Sequence, residues 1–209
     1  MKERLLRTLI GWLTSLAIAL IIVFVLKTFV GMPTTVKGTS MSSTLYPNDK
    51  LFLSTWDINF NHIPTRGSII TFEAPSVETL SDTKDCTAIY SSNSRSVAEK
   101  ILYYTLGISN TSYIKRVIGL PGDHIEIKDN HVFINGTLYI EDYIPSSVKT
   151  NMNAGGVCDD VIVPDDCVYV LGDNRTASID SRKFGCVPVG KIEGKVVGRW
   201  WPANKRGAL

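Results

Sequence analysis

The sequence is short of the signatures by which many hydrolases and nucleotide enzymes can be read. It has no G-x-S-x-G, no H-E-x-x-H, no G-x-G-x-x-G and no P-loop. Histidine is scarce: His62, His124 and His131 are the only imidazoles. His124 and His131 fall in a predicted hairpin, where a solvated surface role is the ordinary one. No C-x-x-C occurs among the four cysteines, which speaks against a zinc site or a thioredoxin-like motif. Glycine (16) and proline (9) are too few and too scattered for a collagen-like or low-complexity chain. Apolar residues make up 44% of the 209, which excludes a disordered one. The net charge of +2 belongs to residues 1–7, MKERLLR, since residues 8–209 balance at nineteen basic against nineteen acidic. A nucleic-acid binder should carry a basic stripe, and none is present, so no nucleic-acid partner is expected.

Charge is missing altogether from Thr8 to Leu26, a run of 19 residues dominated by Leu, Ile, Val, Ala and Phe. At about 1.5 Å per residue such a run nearly spans a bilayer core of about 30 Å. Trp12 and Lys27 suit the two interfaces. A cleaved signal peptide would have a shorter apolar core and an A-x-A-like site, whereas this run ends Leu-Lys-Thr-Phe-Val-Gly-Met-Pro. A buried core helix would show a polar stripe. The expected organisation is therefore a cytoplasmic arm (1–7), a transmembrane anchor (8–30) and an extracytoplasmic domain (31–209). The basic arm sets that orientation by the positive-inside rule.

All four cysteines, Cys86, Cys158, Cys167 and Cys186, lie in the exported part, where disulfides persist. Three connectivities are open, as is a set of four unpaired thiols. Cys158 and Cys167 flank a short acidic loop and are the pair expected first.

The exported part reads as strands. Short β-branched or aromatic runs occupy 34–36, 50–53, 68–72, 113–118, 124–127, 131–134, 161–163, 168–171 and 195–200. Asp129-Asn130 and Asn135-Gly136 are turn dipeptides. The expected fold is mainly β: an antiparallel sandwich or barrel-like domain behind one N-terminal transmembrane helix. Residues 74–112 read as a polar insertion between strands, partly helical over Ser96–Leu106, and dispensable for the core if 76–109 were replaced by a short linker. Trp56 and Trp200-Trp201 suit either a lipid interface or ordinary packing.

With histidine scarce, a serine nucleophile would need another base, and a desolvated lysine can serve. Two segments supply the pair. One is the small-residue loop from Val36 to Pro47, holding Gly38, Ser40, Ser42 and Ser43; Gly38 would allow close substrate approach or a positive φ. The other is Tyr113 to Asp123. As a strand, it puts Tyr113, Lys115 and Val117 on one face and Ile114, Arg116 and Ile118 on the other. Lys115 then has bulky neighbours and no adjacent carboxylate, the setting that depresses a lysine pKa. Acting as a base near pH 8 requires roughly 3.3 kcal/mol of such depression.

Taken together, these segments resemble bacterial type I signal peptidases, the membrane-bound Ser-Lys endopeptidases. The resemblance runs in order along most of the chain: the anchor, Gly38-Thr39-Ser40-Met41 with Thr44-Leu45, Arg66 to Phe72, Tyr113 to Asp123, and Leu171 to Gly185. It implies a hydrolase that removes N-terminal signal peptides from exported preproteins through an acyl-enzyme. It implies Ser40 as nucleophile, with its N–H donating to the oxyanion, and Lys115 as base. Ser178 would orient that lysine, and Asp180 and Arg182 would support the site. No cofactor and no metal are implied. The implied partners are preproteins with small residues at −1 and −3, the lipid bilayer, and surface-polymer or secretion machinery. Gly38 stands where some members carry a serine that completes the oxyanion hole, and Ser43 where proline is usual. Asn110, Asn135 and Asn174 head N-x-S/T triplets, read as chance. The alternative is a signal-peptidase-like assembly factor for pilus-type polymers, but those lacking catalysis lack the Ser-Lys pair. A self-cleaving repressor would carry a DNA-binding domain where this chain has its apolar run. An endoplasmic-reticulum-type relative would have histidine at position 115.

Overall fold

The computed structural model describes residues 1–29, 31–56, 62–78, 80, 86–91, 111–145, 148–150 and 157–209. The segment Ser96–Leu106, expected to be helical, lies outside the described residues.

Helix α1 (Lys2–Phe29) takes in both the charged arm and the apolar run. Its stretch Glu3–Leu26 is long and apolar enough to cross a membrane, and none of it is buried against the rest of the chain. Three residues after its last turn the chain enters a sheet. The strands are β1 (Met32–Thr35), β2 (Lys50–Ser54), β3 (Ile69–Glu73), β4 (Ser112–Gly119), β5 (His124–Lys128), β6 (His131–Ile134), β7 (Thr137–Leu138), β8 (Asp160–Ile162), β9 (Cys167–Leu171), β10 (Val187–Pro188), β11 (Ile192–Trp201) and β12 (Gly207–Ala208). Every strand read from the sequence has its counterpart. The two-residue strands β7, β10 and β12 are too short to show a period and could not be read that way.

All strand pairs are antiparallel. The larger sheet runs β1-β2-β11-β3-β4-β9-β10, with β12 beside β11, and the smaller runs β7-β6-β5-β8. Both expected turn dipeptides carry positive φ: 51° and 63° at Asp129-Asn130, 52° and 77° at Asn135-Gly136. Asn, Asp and Gly tolerate that region, and its twist matches the flanking strands.

The apolar residues of β4 face opposite ways, as alternation requires. Val117 packs with Ile70, Phe72, Val168, Val170, Ala88 and Phe184 on one side of the larger sheet. Ile118 packs on the other side with Tyr169 and Leu171, against Ile125, Ile127, Val132 and Ile134 of the smaller sheet. A third cluster joins Val36, Met41 and Leu45 to Leu51, Leu53, Ile69 and Val196.

Two expectations are corrected. The disulfide joins Cys86 to Cys158 across 72 residues, while Cys167 and Cys186 are free and buried. Cys167 is buried in the cluster between the sheets, its thiol 3.4 Å from Asp166 Oδ1. Nor is the insertion free of the core. Leu80, Cys86 and Ala88 are buried, and Thr87 bridges Cys186. Polar composition concealed these few anchoring residues, so excising 76–109 would remove part of the packed domain.

Candidate active site

Ser40 is held by what flanks it. Val36, Met41 and Leu45 are buried, so the loop between β1 and β2 is pinned at both ends by apolar burial while Ser40 stays half-exposed. A tight turn closes it, with Ser42 N donating to Thr39 O at 3.0 Å. The segment after β9 fastens it from the side: Asn174 N donates to Ser40 O at 3.0 Å, and Asn174 Nδ2 to Thr39 O at 3.2 Å.

Lys115 comes from β4, where it pairs with Ile70 of β3. Its Nζ lies 2.8 Å from Ser40 Oγ, 3.1 Å from the carbonyl of Ile114 and 5.1 Å from the centre of the Tyr113 ring. The residue is 3% exposed. Burial pushes its pKa down from 10.5 to about 8, and the negative charges of Asp180 and Asp173 only partly oppose this. Among the described residues Lys115 forms no ion pair. Near neutral pH a useful fraction of this amine is unprotonated, and a neutral amine at hydrogen-bond distance can accept the serine proton.

Arg116 lies on the face opposite Lys115, as alternation places it. It is also buried, because the opposite face of β4 is covered as well. Its guanidinium binds Asp173 through Nε at 2.9 Å and Nη2 at 2.6 Å, and lies 3.9 Å from the centre of the Tyr143 ring. Asp173 in turn accepts from Thr44 Oγ1 at 2.5 Å. The chain from Arg116 through Asp173 to Thr44 thus ties the Ser40 loop to the lysine strand. A second guanidinium, that of Arg199, reaches Thr44 O at 3.0 Å and Asp49 at 2.8 Å.

The segment 171–185 forms a buried hub. Helix α2 (Ser181–Phe184) is capped by Asp180. Asp180 takes Arg182 in a two-point pair, both bonds at 2.8 Å, and accepts from Gly172 N at 3.0 Å. That pair holds the Asp180 carboxyl below its usual range despite full burial. Arg182 Nη2 also donates to Arg175 O, and Arg175 pairs with Glu141. Ser178 Oγ is buried and makes no full hydrogen bond, although it lies near enough to Asp180 to help stabilise the charge. It is not bonded to Lys115. Ser178 and Ser40 converge on Gly172, where an added Cβ would sit 2.1 Å from Ser178 Oγ and 2.5 Å from Ser40 O. Gly38 is exposed, has no positive φ, and leaves open space where a side chain would stand. Ser43 has φ 115°, a value closed to proline.

The structure therefore brings Ser40, Lys115 and Ser178 around one point, with Asp180 and Arg182 behind them. Sequence reasoning missed Asp173, Arg175, Gly172 and Glu141. Gly172, Asp173 and Arg175 left no sequence trace beyond membership of a motif, and Glu141 left none, since the partners lie 25–129 residues away for the side-chain bonds concerned. Among the described residues no group of three or more His, Cys, Asp or Glu could hold a metal.

The site thus sets a half-exposed Ser40 hydroxyl 2.8 Å from a buried Lys115 amine. The family model described as signal peptidase, peptidase S26, matches residues 9–201. The chain belongs to that family and is a hydrolase of the serine-protease type. It is 31% identical over 185 residues to signal peptidase I P of Bacillus subtilis subsp. natto, covering 87% of this chain and 82% of that one. It is 29% identical over 213 residues to signal peptidase IB of Staphylococcus aureus, covering 95% and 93%. Among solved structures, a signal peptidase I of Enterococcus faecalis V583 is 26% identical over 64% of this chain and 96% of its own, with a TM-score of 0.41.

Proposed function

We propose that this chain is a membrane-anchored signal peptidase that cleaves N-terminal signal peptides from exported preproteins, with Ser40 as nucleophile and Lys115 as general base. The observation that carries the site assignment is the 2.8 Å approach of a buried, unpaired Lys115 amine to Ser40 Oγ. Neutral Lys115 takes the hydroxyl proton as Oγ attacks the scissile carbonyl. The protonated lysine then returns that proton to the leaving amine, and an ester to Ser40 remains. A water molecule, its proton passed to Lys115, hydrolyses the ester and restores Ser40. The Ser40 N–H, which donates to no group among the described residues, supplies an oxyanion donor; one such donor is typically worth roughly 2.7–4 kcal/mol of barrier. Ser178 has a spare hydroxyl with which to orient the lysine once substrate excludes water. Asp180 with Arg182 fixes the turn that carries it, and bare Gly38 leaves room for the substrate backbone.

The apolar α1 and the family fit a membrane-anchored protein. The finer reading is a single pass with residues 1–7 in the cytoplasm, 8–30 in the bilayer and 31–209 outside. Preproteins with small residues at −1 and −3 are the substrates, tethered in the same membrane, which raises their effective concentration. Trp56, Trp200 and Trp201 are all exposed, which favours the lipid-facing role over core packing.

The test is cleavage of a preprotein by detergent-solubilised enzyme. Ser40→Ala and Lys115→Ala should each abolish it, since the pair acts as one unit. Lys115→Arg should be equally dead because guanidinium stays charged. Robust cleavage by Lys115→Arg would reject the mechanism.

A further inference from the structure

The disulfide belongs to no part of the reaction described so far, yet it lies directly behind it. Cys86 opens the segment 86–91, and Cys158 opens the run leading to β8. Both segments fold onto α2 and the residues after it. Val157 N and Cys158 N donate to Arg182 O at 2.8 and 3.1 Å, Cys186 N to Cys86 O at 2.6 Å, and Ala88 N to Cys186 O at 2.8 Å. Leu80 N adds a bond to Lys183 O at 2.8 Å. The covalent link therefore closes a belt around Arg182–Cys186.

That belt presses two apolar groups into the cluster facing Lys115. Ala88 and Phe184 pack with Ile70, Phe72 and Val117, and Tyr113 lies against them. The Phe184 ring is 6.0 Å from Phe72 and 6.3 Å from Tyr113. Ile70, Tyr113 and Val117 are the cross-strand and same-face neighbours of Lys115 on β3 and β4. The apolar wall that keeps Lys115 out of water is thus backed by residues that the disulfide holds in place.

We propose that Cys86 and Cys158 are positioning residues of the peptidase reaction: their disulfide staples the 86–91 segment against α2 and so keeps water off Lys115. This rests on the reading of Lys115 as the base. Glu193 of β11 acts on Tyr90 at the edge of that wall, and several other charged and titratable groups there are matched among themselves. Asp180 is paired with Arg182, Asp173 with Arg116, and the Tyr113 phenol with Glu78; behind Tyr90, Lys191 is paired with Glu73. The Lys115 amine itself touches the neutral Ser40 hydroxyl and Ile114 carbonyl. Opening the wall therefore changes chiefly the hydration of the amine, not its charged neighbours. The two free thiols are buried, and burial pushes Cys167 up to about 12 and Cys186 up as well, which disfavours the thiolates that would attack the link.

The experiment uses full-length enzyme in detergent and reads kcat for preprotein cleavage from pH 6 to 11. One sample is oxidised, one is treated with dithiothreitol, and one is Cys86→Ala/Cys158→Ala. Reduction breaks the one S–S bond. Two electrons and two protons pass from the dithiol to the two Sγ atoms, and the reductant leaves as its cyclic disulfide. The expected result moves the acidic limb of kcat about one pH unit upward in the reduced and variant enzymes. Activity at pH 7 then falls about tenfold, while the rates converge above the shifted limb. Reoxidation should restore the original limb. An unmoved limb overturns the proposal. So does an equal loss at every pH, which would mean a purely structural staple, and so do four free thiols in the oxidised enzyme. Lys115→Ala run alongside separates the two readings: if it stays active, the base assignment fails, whereas a dead Lys115→Ala with an unmoved limb sinks only the disulfide proposal.

Discussion

Replacing Gly172 by alanine adds a single methyl at the point where both serines converge. The Cβ would lie 2.1 Å from Ser178 Oγ, 2.5 Å from Ser40 O and 2.6 Å from Ser178 Cβ. Contacts closer than 3.0 Å are essentially never adopted by real side chains, so something must move by roughly 1 Å. The backbone on either side does not yield easily. Ser40 O is backbone and accepts from Asn174 N, and Gly172 N is itself fixed by Asp180. Overpacking of this kind typically costs about 1–3 kcal/mol of stability. A displacement of about 1 Å in a catalytic group costs on the order of 10²-fold in rate. Gly172→Ala should therefore melt a few degrees lower and cleave a preprotein about a hundredfold more slowly, with the loss in kcat, not KM. The assay is single-turnover cleavage by solubilised enzyme at saturating preprotein, alongside a thermal melt. Wild-type kcat with an unchanged Tm would refute the packing described here.

Lys115 governs two pH profiles. Cleavage should rise with pH through about 8, the value to which burial brings the amine. Its ordinary value is 10.5, so between the two the unfolded chain binds the extra proton and stability climbs with pH. Below about 8 the folded state bears the whole cost of burying the ammonium, about 3 kcal/mol. Lys115→Met should thus be inactive yet melt higher than wild type at pH 7, with the gain vanishing by pH 11; an equal gain at both pH values would contradict this. Asp173→Ala leaves the Arg116 guanidinium buried and unpaired, and a denaturant titration should find it about 3–5 kcal/mol less stable; a change under about 1 kcal/mol would show the pair to be solvent-screened. Gly38→Ser meets nothing in the folded chain, so its Tm should be unaltered. If its hydroxyl adds the oxyanion donor that the resemblance suggests, kcat rises, and a fall in kcat would count against that placement.

Much of the framework was legible because period and punctuation agreed. Alternation along Tyr113–Ile118 correctly separated Val117 from Ile118 and put Lys115 among apolar neighbours. The turn dipeptides fixed the hairpins of the smaller sheet by local backbone preference alone. What could not be read was whatever depends on distant partners. Arg116 could only be placed on the face opposite Lys115, because a strand pattern does not say whether its second face will also be covered. Asp173 owes its role to Thr44, 129 residues earlier in the chain. The disulfide went astray for the same reason. Cys158 and Cys167 are near in sequence, but the belt around α2 brings Cys86 to Cys158 across 72 residues.

The passage from α1 to β1 is two residues long. Phe29 is the last residue of the helix and Met32 the first of the sheet. Gly31 N still donates to Leu26 O, and an added Cβ on Gly31 would strike Leu53 O at 1.9 Å. With α1 in a bilayer, a body joined so closely would meet membrane-tethered preproteins in two dimensions. Its turnover would scale with preprotein per unit area of membrane and not with concentration in the surrounding volume. Diluting the vesicles would then leave the rate unchanged, whereas diluting the preprotein with extra lipid would slow it.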